Sequence, residues 1–321
     1  MTETTDFEGR ATDQGPTRRA TLLMRSATYL SVLVALVLIV TKAIAVALTG
    51  SAAVLSSLID SLLDLVTSVI NLFAVRHSLI PADREHRFGH GKAEALAALG
   101  QSAFIAGSGV FVLFEAARRL VQPEPVENGP AGIAVMVLSI GLTVILVLYQ
   151  RFVVKRTGSM AVAADSMHYK ADLATNLGVI AALLMATELR WTAADPLIAA
   201  VIGGYILYGA WSILRGAFDQ LMDREMPEAE RERIRSIVMT HPEVRAMHDL
   251  RTRGSGTRTF IQLHLELDGD LSLYRAHVIS DTVEAEINQA FPAAEVLIHQ
   301  DPAGVEDFAA QAERSTGTPR P

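Results

Sequence analysis

Asp60 and Asp64 stand four residues apart in Leu58-Ile59-Asp60-Ser61-Leu62-Leu63-Asp64, inside an otherwise apolar stretch. His168 and Asp172 repeat that spacing in Met167-His168-Tyr169-Lys170-Ala171-Asp172. An i, i+4 pair shares one face of a helix. Three carboxylates and an imidazole on two facing helices make a donor set for a divalent cation. Such an ion neutralises much of the charge and accepts four ligands tetrahedrally. The competing account is local ion pairing, with Lys42 or Lys170 as partner. Two pairs of equal spacing at matching depth weigh toward the cation.

The elements that carry these pairs are read as membrane spans. Six apolar stretches could each cross a bilayer: Ala27 to Leu48, Ala52 to Val75, Ala95 to Ala117, Gly132 to Phe152, Met160 to Ala186 and Pro196 to Ile213. A Gly-Ser turn joins the first two as an antiparallel hairpin. Ionisable groups at such depth are costly and must face one another, a cation or water. At 1.5 Å per residue, Asp60 and Asp64 lie roughly 14 and 20 Å below the outer face. In a core about 30 Å thick, His168 and Asp172 lie roughly 16 and 10 Å below that face. The four therefore share one band.

Lys and Arg orient the chain. Arg18, Arg19, Arg25, Arg76, Arg84, Arg87, Lys92, Arg151, Lys155, Arg156, Arg215 and Arg224 fall on one side. Arg118, Arg119 and Arg190 fall on the other. Both termini are expected in the cytoplasm. Composition agrees with a membrane region plus a soluble part: 50% hydrophobic residues and a mean hydropathy of +0.30. A net charge of -7 leaves no footprint for nucleic acid. With no cysteine, disulfides, thiolate metal sites and cysteine catalysis are excluded. Met1 to Ala20 lacks the pattern of a cleaved signal peptide.

From Pro227 the chain turns soluble. Glu228 to Thr240 reads as an amphipathic helix. Val244 to Arg253 and Arg258 to Asp268 read as strands around a Gly-Ser-Gly turn, with Phe260, Gln262, His264 and Glu266 alternating with Ile261, Leu263, Leu265 and Leu267. Leu271 to Ala290 reads as a second helix and Ala294 to His299 as a last strand. The expectation is an α-helical membrane protein: a six-helix transmembrane bundle followed by a small cytoplasmic α+β domain of order αββαβ. Its parts are a disordered N-terminus over 1–24, a transmembrane domain over 25–215, a linker over 216–226, a metal-binding domain over 227–303 and a disordered tail over 304–321.

Asp83, His86 and His90 form a second group, in the polar loop after the second span. On one helical turn they could hold a zinc-like ion with a position open to water. A solvated basic loop containing Arg84 and Arg87 is the alternative.

These residues carry a family resemblance. Pro81-Ala82-Asp83, His86 and Phe88-Gly89-His90-Gly91-Lys92-Ala93-Glu94, then Asp165-Ser166-Met167-His168-Tyr169-Lys170-Ala171-Asp172, resemble the cation diffusion facilitator family. So do His248-Asp249-Leu250-Arg251-Thr252-Arg253 and Ile298-His299-Gln300-Asp301-Pro302. The likeness is strongest to the bacterial ferrous-iron and zinc efflux transporters, and it runs from Ala27 to Pro302. It implies a homodimer in the bacterial inner membrane with metallochaperone-like cytoplasmic domains. It also implies export of divalent metal against proton entry by alternating access. Asp60, Asp64, His168 and Asp172 match the family's transport site, with His168 the proton-coupling candidate near neutral pH. Asp83, His86 and His90 match its loop site. The resemblance alone groups His248, His264, His277, His299 and Asp301 as a cytoplasmic two-metal site, with Asp301 as bridge. It also pairs Lys92 with Asp223 as a charge interlock near the dimer axis; interfacial anchoring is the alternative.

One imidazole among carboxylates disfavours magnesium and calcium. Zinc suits the set best, and resemblance places iron(II) next; cadmium, manganese and cobalt stay open. No catalytic cofactor is expected. Rival readings are a membrane-anchored metal sensor, an intramembrane metalloenzyme and a channel. An enzyme needs an open coordination position and a general base, and four ligands would close the shell.

Overall fold

The structure, a computed structural model, describes residues 18–50, 52–121, 130–188 and 194–304. Residues 1–17 and 305–321 of the expected disordered ends, and Ser51 of the first turn, lie outside it. The chain forms two compact units, the second starting at Asp223.

The first unit holds six long helices: α1 (Arg18–Thr49), α2 (Ala52–Ser78), α3 (Lys92–Val121), α4 (Pro130–Thr157), α5 (Met160–Glu188) and α6 (Ala194–Leu221). Five are long and apolar enough to cross a membrane. The sixth, α5, interrupts its apolar run with Asp165, His168, Lys170 and Asp172. Large apolar side chains face outward all round, among them Leu33, Ile70, Phe111 and Trp211. A bilayer covers such a surface; water would not tolerate it.

Two boundaries differ from expectation. Helix α1 starts at Arg18, so the stretch from Arg18 to Met24 is helical rather than disordered. Helix α6 runs to Leu221 and takes up the first half of the expected linker. A helix continues past its apolar run because each further residue adds a backbone hydrogen bond at little cost. Terminal arginines can hold their heads in water.

Gly158 closes α4 in the left-handed conformation (φ 67°), and its N–H donates to the Val154 carbonyl at 2.8 Å. Gly50 ends α1 in the same way (φ 62°), donating to Val46. Helix α3 lies closely on α6, where glycines let the backbones approach. A Cβ on Gly203 would stand 2.7 Å from Leu113 and 3.3 Å from the Gly109 carbonyl. At one end of this pair Arg119 bonds both Glu115 and Asp195 at 3.0 Å. One of the arginines that ran against the orientation count is thereby neutralised.

The second unit contains α7 (Glu228–Thr240), β1 (Ala246–Ser255), β2 (Arg258–Leu267), α8 (Leu273–Ala290) and β3 (Ala294–Pro302). The sheet order is β1-β2-β3, and β2 pairs with β3 in parallel, setting His264 beside His299 and Glu266 beside Asp301. A parallel pair needs a crossover, which α8 supplies. Ile261, Leu263 and Leu265 pack with Ile234 and Val238 of α7 and with Ile279, Val283 and Ile287 of α8. Both helices thus cover one face of the sheet. The histidines lie on the other.

Candidate metal centres

Helices α2 and α5 bring the intramembrane residues together. His168 Nε2 lies 2.9 Å from Asp64 Oδ1 and 3.7 Å from Asp172 Oδ2. The three ligand atoms of Asp64, His168 and Asp172 all lie within 4.8 Å of one another. They border a cavity of about 480 Å³ that Asp60, Lys42 and Ser57 also line. Asp60 is the exposed member, one turn along α2, and stands outside the close trio. Asp172 Oδ2 is buried with no hydrogen-bond partner among the described residues. A buried orphan acceptor marks a place made for water or an ion. The donor set suits a divalent substrate of the zinc type.

Neither lysine takes up these carboxylates. Lys42 Nζ donates to Ser57 O at 3.0 Å and to Ser61 Oγ at 2.7 Å. Lys170 is two residues from His168, which turns it about 160° away on the helix.

Behind the trio stands a buried network on which the sequence reading placed no weight. Asp165 accepts from Ser31 Oγ at 2.6 Å and from Gln150 Nε2 at 2.7 Å, and Gln150 also donates to Ser31 at 3.0 Å. Tyr169 OH meets Ser68 Oγ at 3.0 Å. These bonds tie α1, α2, α4 and α5 around the residue that carries the imidazole. The signal was available: a second acid in the fifth span, three residues before His168. A further cavity, about 330 Å³ and mostly apolar, lies between α2 and α3, with Thr67, Asn71 and Gln101 on its wall. Asn71 is 2% exposed, and neither amide atom has a partner among the described residues. Asp60, Asp64, Thr67 and Asn71 follow the 3.6-residue period, which would have disclosed a polar stripe along α2.

The loop group is close, but it is not a helical turn. Residues 81–91 run through bends and turns. Asp83 holds the turn by accepting from the His86 and Glu85 backbone N–H groups at 2.6 and 2.9 Å. An aspartate bonding its own following backbone competes with helix formation. Those N–H bonds, with the two imidazoles, hold the Asp83 carboxyl below its ordinary range. His90 Nε2 lies 3.4 Å and His86 Nδ1 3.7 Å from Asp83.

In the α+β unit, Asp301 Oδ2 lies 2.8 Å from His264 Nδ1 and 3.5 Å from His248 Nε2. Its Oδ1 lies 3.2 Å from His299 Nε2. One carboxylate thus serves three imidazoles through two oxygens. Glu266, 3.2 Å from His248 Nδ1, is an acid the sequence reading left out, although it shares the alternating face with His264. Within one chain His277 stands apart from this set, 3.5 Å from Asp281. It is on α8, which covers the opposite face of the sheet, so strand alternation separates it from His264. The proposed interlock residues each contact groups of their own unit. Lys92 Nζ donates to the Leu221 carbonyl at 3.4 Å, and Asp223 Oδ1 lies 3.6 Å from Arg253.

A membrane bundle with an ionisable trio on an interior cavity, joined to a histidine-rich α+β unit, defines a class of metal transporter. Residues 28–222 match the family profile of the cation efflux transmembrane domain, and residues 226–303 that of the cation efflux protein cytoplasmic domain. The chain is 48% identical to the cation-efflux pump FieF of Shewanella oneidensis over 88% of its length and 95% of the relative's. It is 46% identical to protein p34 of Rickettsia prowazekii over 89% and 94%. Among solved structures it resembles the metal-bound C-terminal domain of the CzcD transporter from Thermotoga maritima, at 29% identity, covering 26% of this chain and 100% of that one with a TM-score of 0.24. The chain belongs to the cation diffusion facilitator, or cation efflux, family, as its motifs led us to expect. It is a multi-pass membrane transporter of divalent metal cations with the family's cytoplasmic dimerisation domain, not an enzyme.

Proposed function

We infer that this transporter exports divalent metal from the cytoplasm in exchange for protons, with zinc as the best-suited substrate and iron(II) next. The observation that carries the reading is His168 Nε2 set between Asp64 and Asp172 on an interior cavity. Asp60, which lines the same cavity one turn along α2, completes a four-ligand shell. Ligands must be deprotonated to bind, so metal entry releases protons and protons compete metal off. Alternation of the cavity between the two faces turns that competition into exchange. The polar stripe of Asp64, Thr67 and Asn71 along α2 supplies a route to the site from the far end of that helix. Lysine and arginine placement supports an inner-membrane orientation with both termini in the cytoplasm.

In the dimer's cytoplasmic units, His248, His264, His277, His299 and Asp301 hold metal, with Asp301 bridging two ions. Binding there biases the arrangement of two subunits, for which Lys92 and Asp223 supply charges at the edge of each unit. Asp83, His86 and His90 form an open loop site that relays or senses metal.

Metal flux into proteoliposomes separates exchange from a channel. Exchange predicts zinc uptake that rises with an imposed gradient, acidic inside, and that alkalises the lumen in step as protons leave it. Flux indifferent to the gradient, with no accompanying proton movement, would mean conduction and sink the antiport reading.

A further inference from the structure

On the side of α5 turned away from His168 lies a cavity of about 330 Å³ with the opposite chemistry. Arg151 and Lys155 of α4, Ser166 and Lys170 of α5, and Tyr205 and Tyr208 of α6 line it. Its hydrogen-bonding groups are cations and hydroxyls, and no carboxylate borders it. None of the three cations forms a salt bridge among the described residues. Ser166 is 2% exposed, and its Oγ has no hydrogen-bond partner among the described residues. A site of three positive charges repels the transported metal. What it fits is an anion with several acceptor oxygens, such as a phosphate.

The place of the cavity selects the source of that phosphate. Arg151 and Lys155 fall in the last turns of α4, at the end that the Lys and Arg distribution assigns to the cytoplasm. Tyr208 is 74% exposed among outward-facing apolar side chains of the same bundle surface, so the cavity opens toward lipid. Met167 and Gly209 give it an apolar floor along which an acyl chain can run. Basic pockets between spans on the cytoplasmic side are suited to anionic headgroups. We propose that the cavity between α4, α5 and α6 is a binding site for the headgroup of an anionic phospholipid. Arg151, Lys155 and Lys170 hold its phosphate, and Ser166 and the two tyrosines supply neutral donors.

The test is native mass spectrometry of the purified full-length protein offered equal amounts of phosphatidylglycerol and phosphatidylcholine. The wild type should retain phosphatidylglycerol in preference. A basic residue near an anionic lipid contributes about a fivefold preference, so Lys155→Gln with Lys170→Gln should reduce it roughly 30-fold. Lys155→Arg with Lys170→Arg should keep it. Equal retention of both lipids by the wild type, or undiminished preference in the glutamine variant, overturns the proposal. Complete displacement of phosphatidylglycerol by millimolar inorganic phosphate assigns the site to free phosphate and also overturns it. Should the glutamine variant fail to fold, photo-crosslinking of the wild type decides. A phosphatidylglycerol with a reactive headgroup should label the segments around Lys155, Ser166 or Tyr208, and labelling confined to other helices contradicts the assignment.

Discussion

His168 works through its neighbours. Asp64 and Asp172 flank its Nε2, while Asp165, one turn earlier on α5, is locked by Ser31 and Gln150. Replacing Asp165 by Leu removes the buried acceptor that Ser31 and Gln150 share, leaving them only the Ala27 carbonyl and each other, at about 1–3 kcal/mol for the lost hydrogen bonding. The expected result is a clear fall in melting temperature of the detergent-solubilised protein, with weakened metal affinity. Asp165→Asn, which keeps an acceptor, should lose less. At the loop, two backbone N–H groups and two imidazoles depress the Asp83 carboxyl below its ordinary 3.8. Its contribution to loop order is therefore complete above that ordinary value, and is lost only as pH falls through the still lower folded value. Loss of loop-bound metal on mild acidification then reports imidazole protonation, since His must be neutral to ligate. Asp83→Asn should weaken zinc binding at neutral pH in a calorimetric titration. The midpoint of its acid dependence should stay where it was.

Among the elements, packing distinguishes adjacent glycines. A side chain at Gly203 meets Leu113 and the Gly109 carbonyl, whereas one at Gly204 meets nothing within 4 Å. Gly203→Val should destabilise the α3–α6 pair by about 1–3 kcal/mol, as overpacking does, and Gly204→Ala should be neutral or better. Thermal melts of the two variants check this. Much of the element level was legible. The alternation from Phe260 to Leu267 placed β2 and its two faces, and helix α7 was read at its observed limits, Glu228 to Thr240. Paired acids within apolar runs gave the trio because the helical period converts spacing directly into a shared face. What stayed hidden depends on tertiary placement. Where His277 lies within one chain follows from which face of the sheet α8 covers, and packing decides that. Asp83 looked helical because its spacing is helical, although its carboxylate captures the local backbone instead.

For the whole molecule, the second unit has its own apolar core and a histidine cluster on the uncovered face of its sheet. Metal that binds only the folded form stabilises it, by about 2.7 kcal/mol at a hundredfold excess over the dissociation constant. Zinc should therefore raise the melting temperature of the cytoplasmic unit in the full-length protein, and Asp301→Ala should cancel that rise, since Asp301 alone touches all three imidazoles. Composition already implied a bilayer part and a soluble part. The division at Asp223 follows where the outward-facing apolar surface ends.

The central claim is that Asp64 and His168 hold the transported metal. Zinc flux into proteoliposomes under a fixed pH gradient, for wild type, Asp64→Ala and His168→Ala, tests it most directly. Both variants should fold, insert and lose gradient-driven flux to the level of empty vesicles. Wild-type flux in both folded variants would contradict the account.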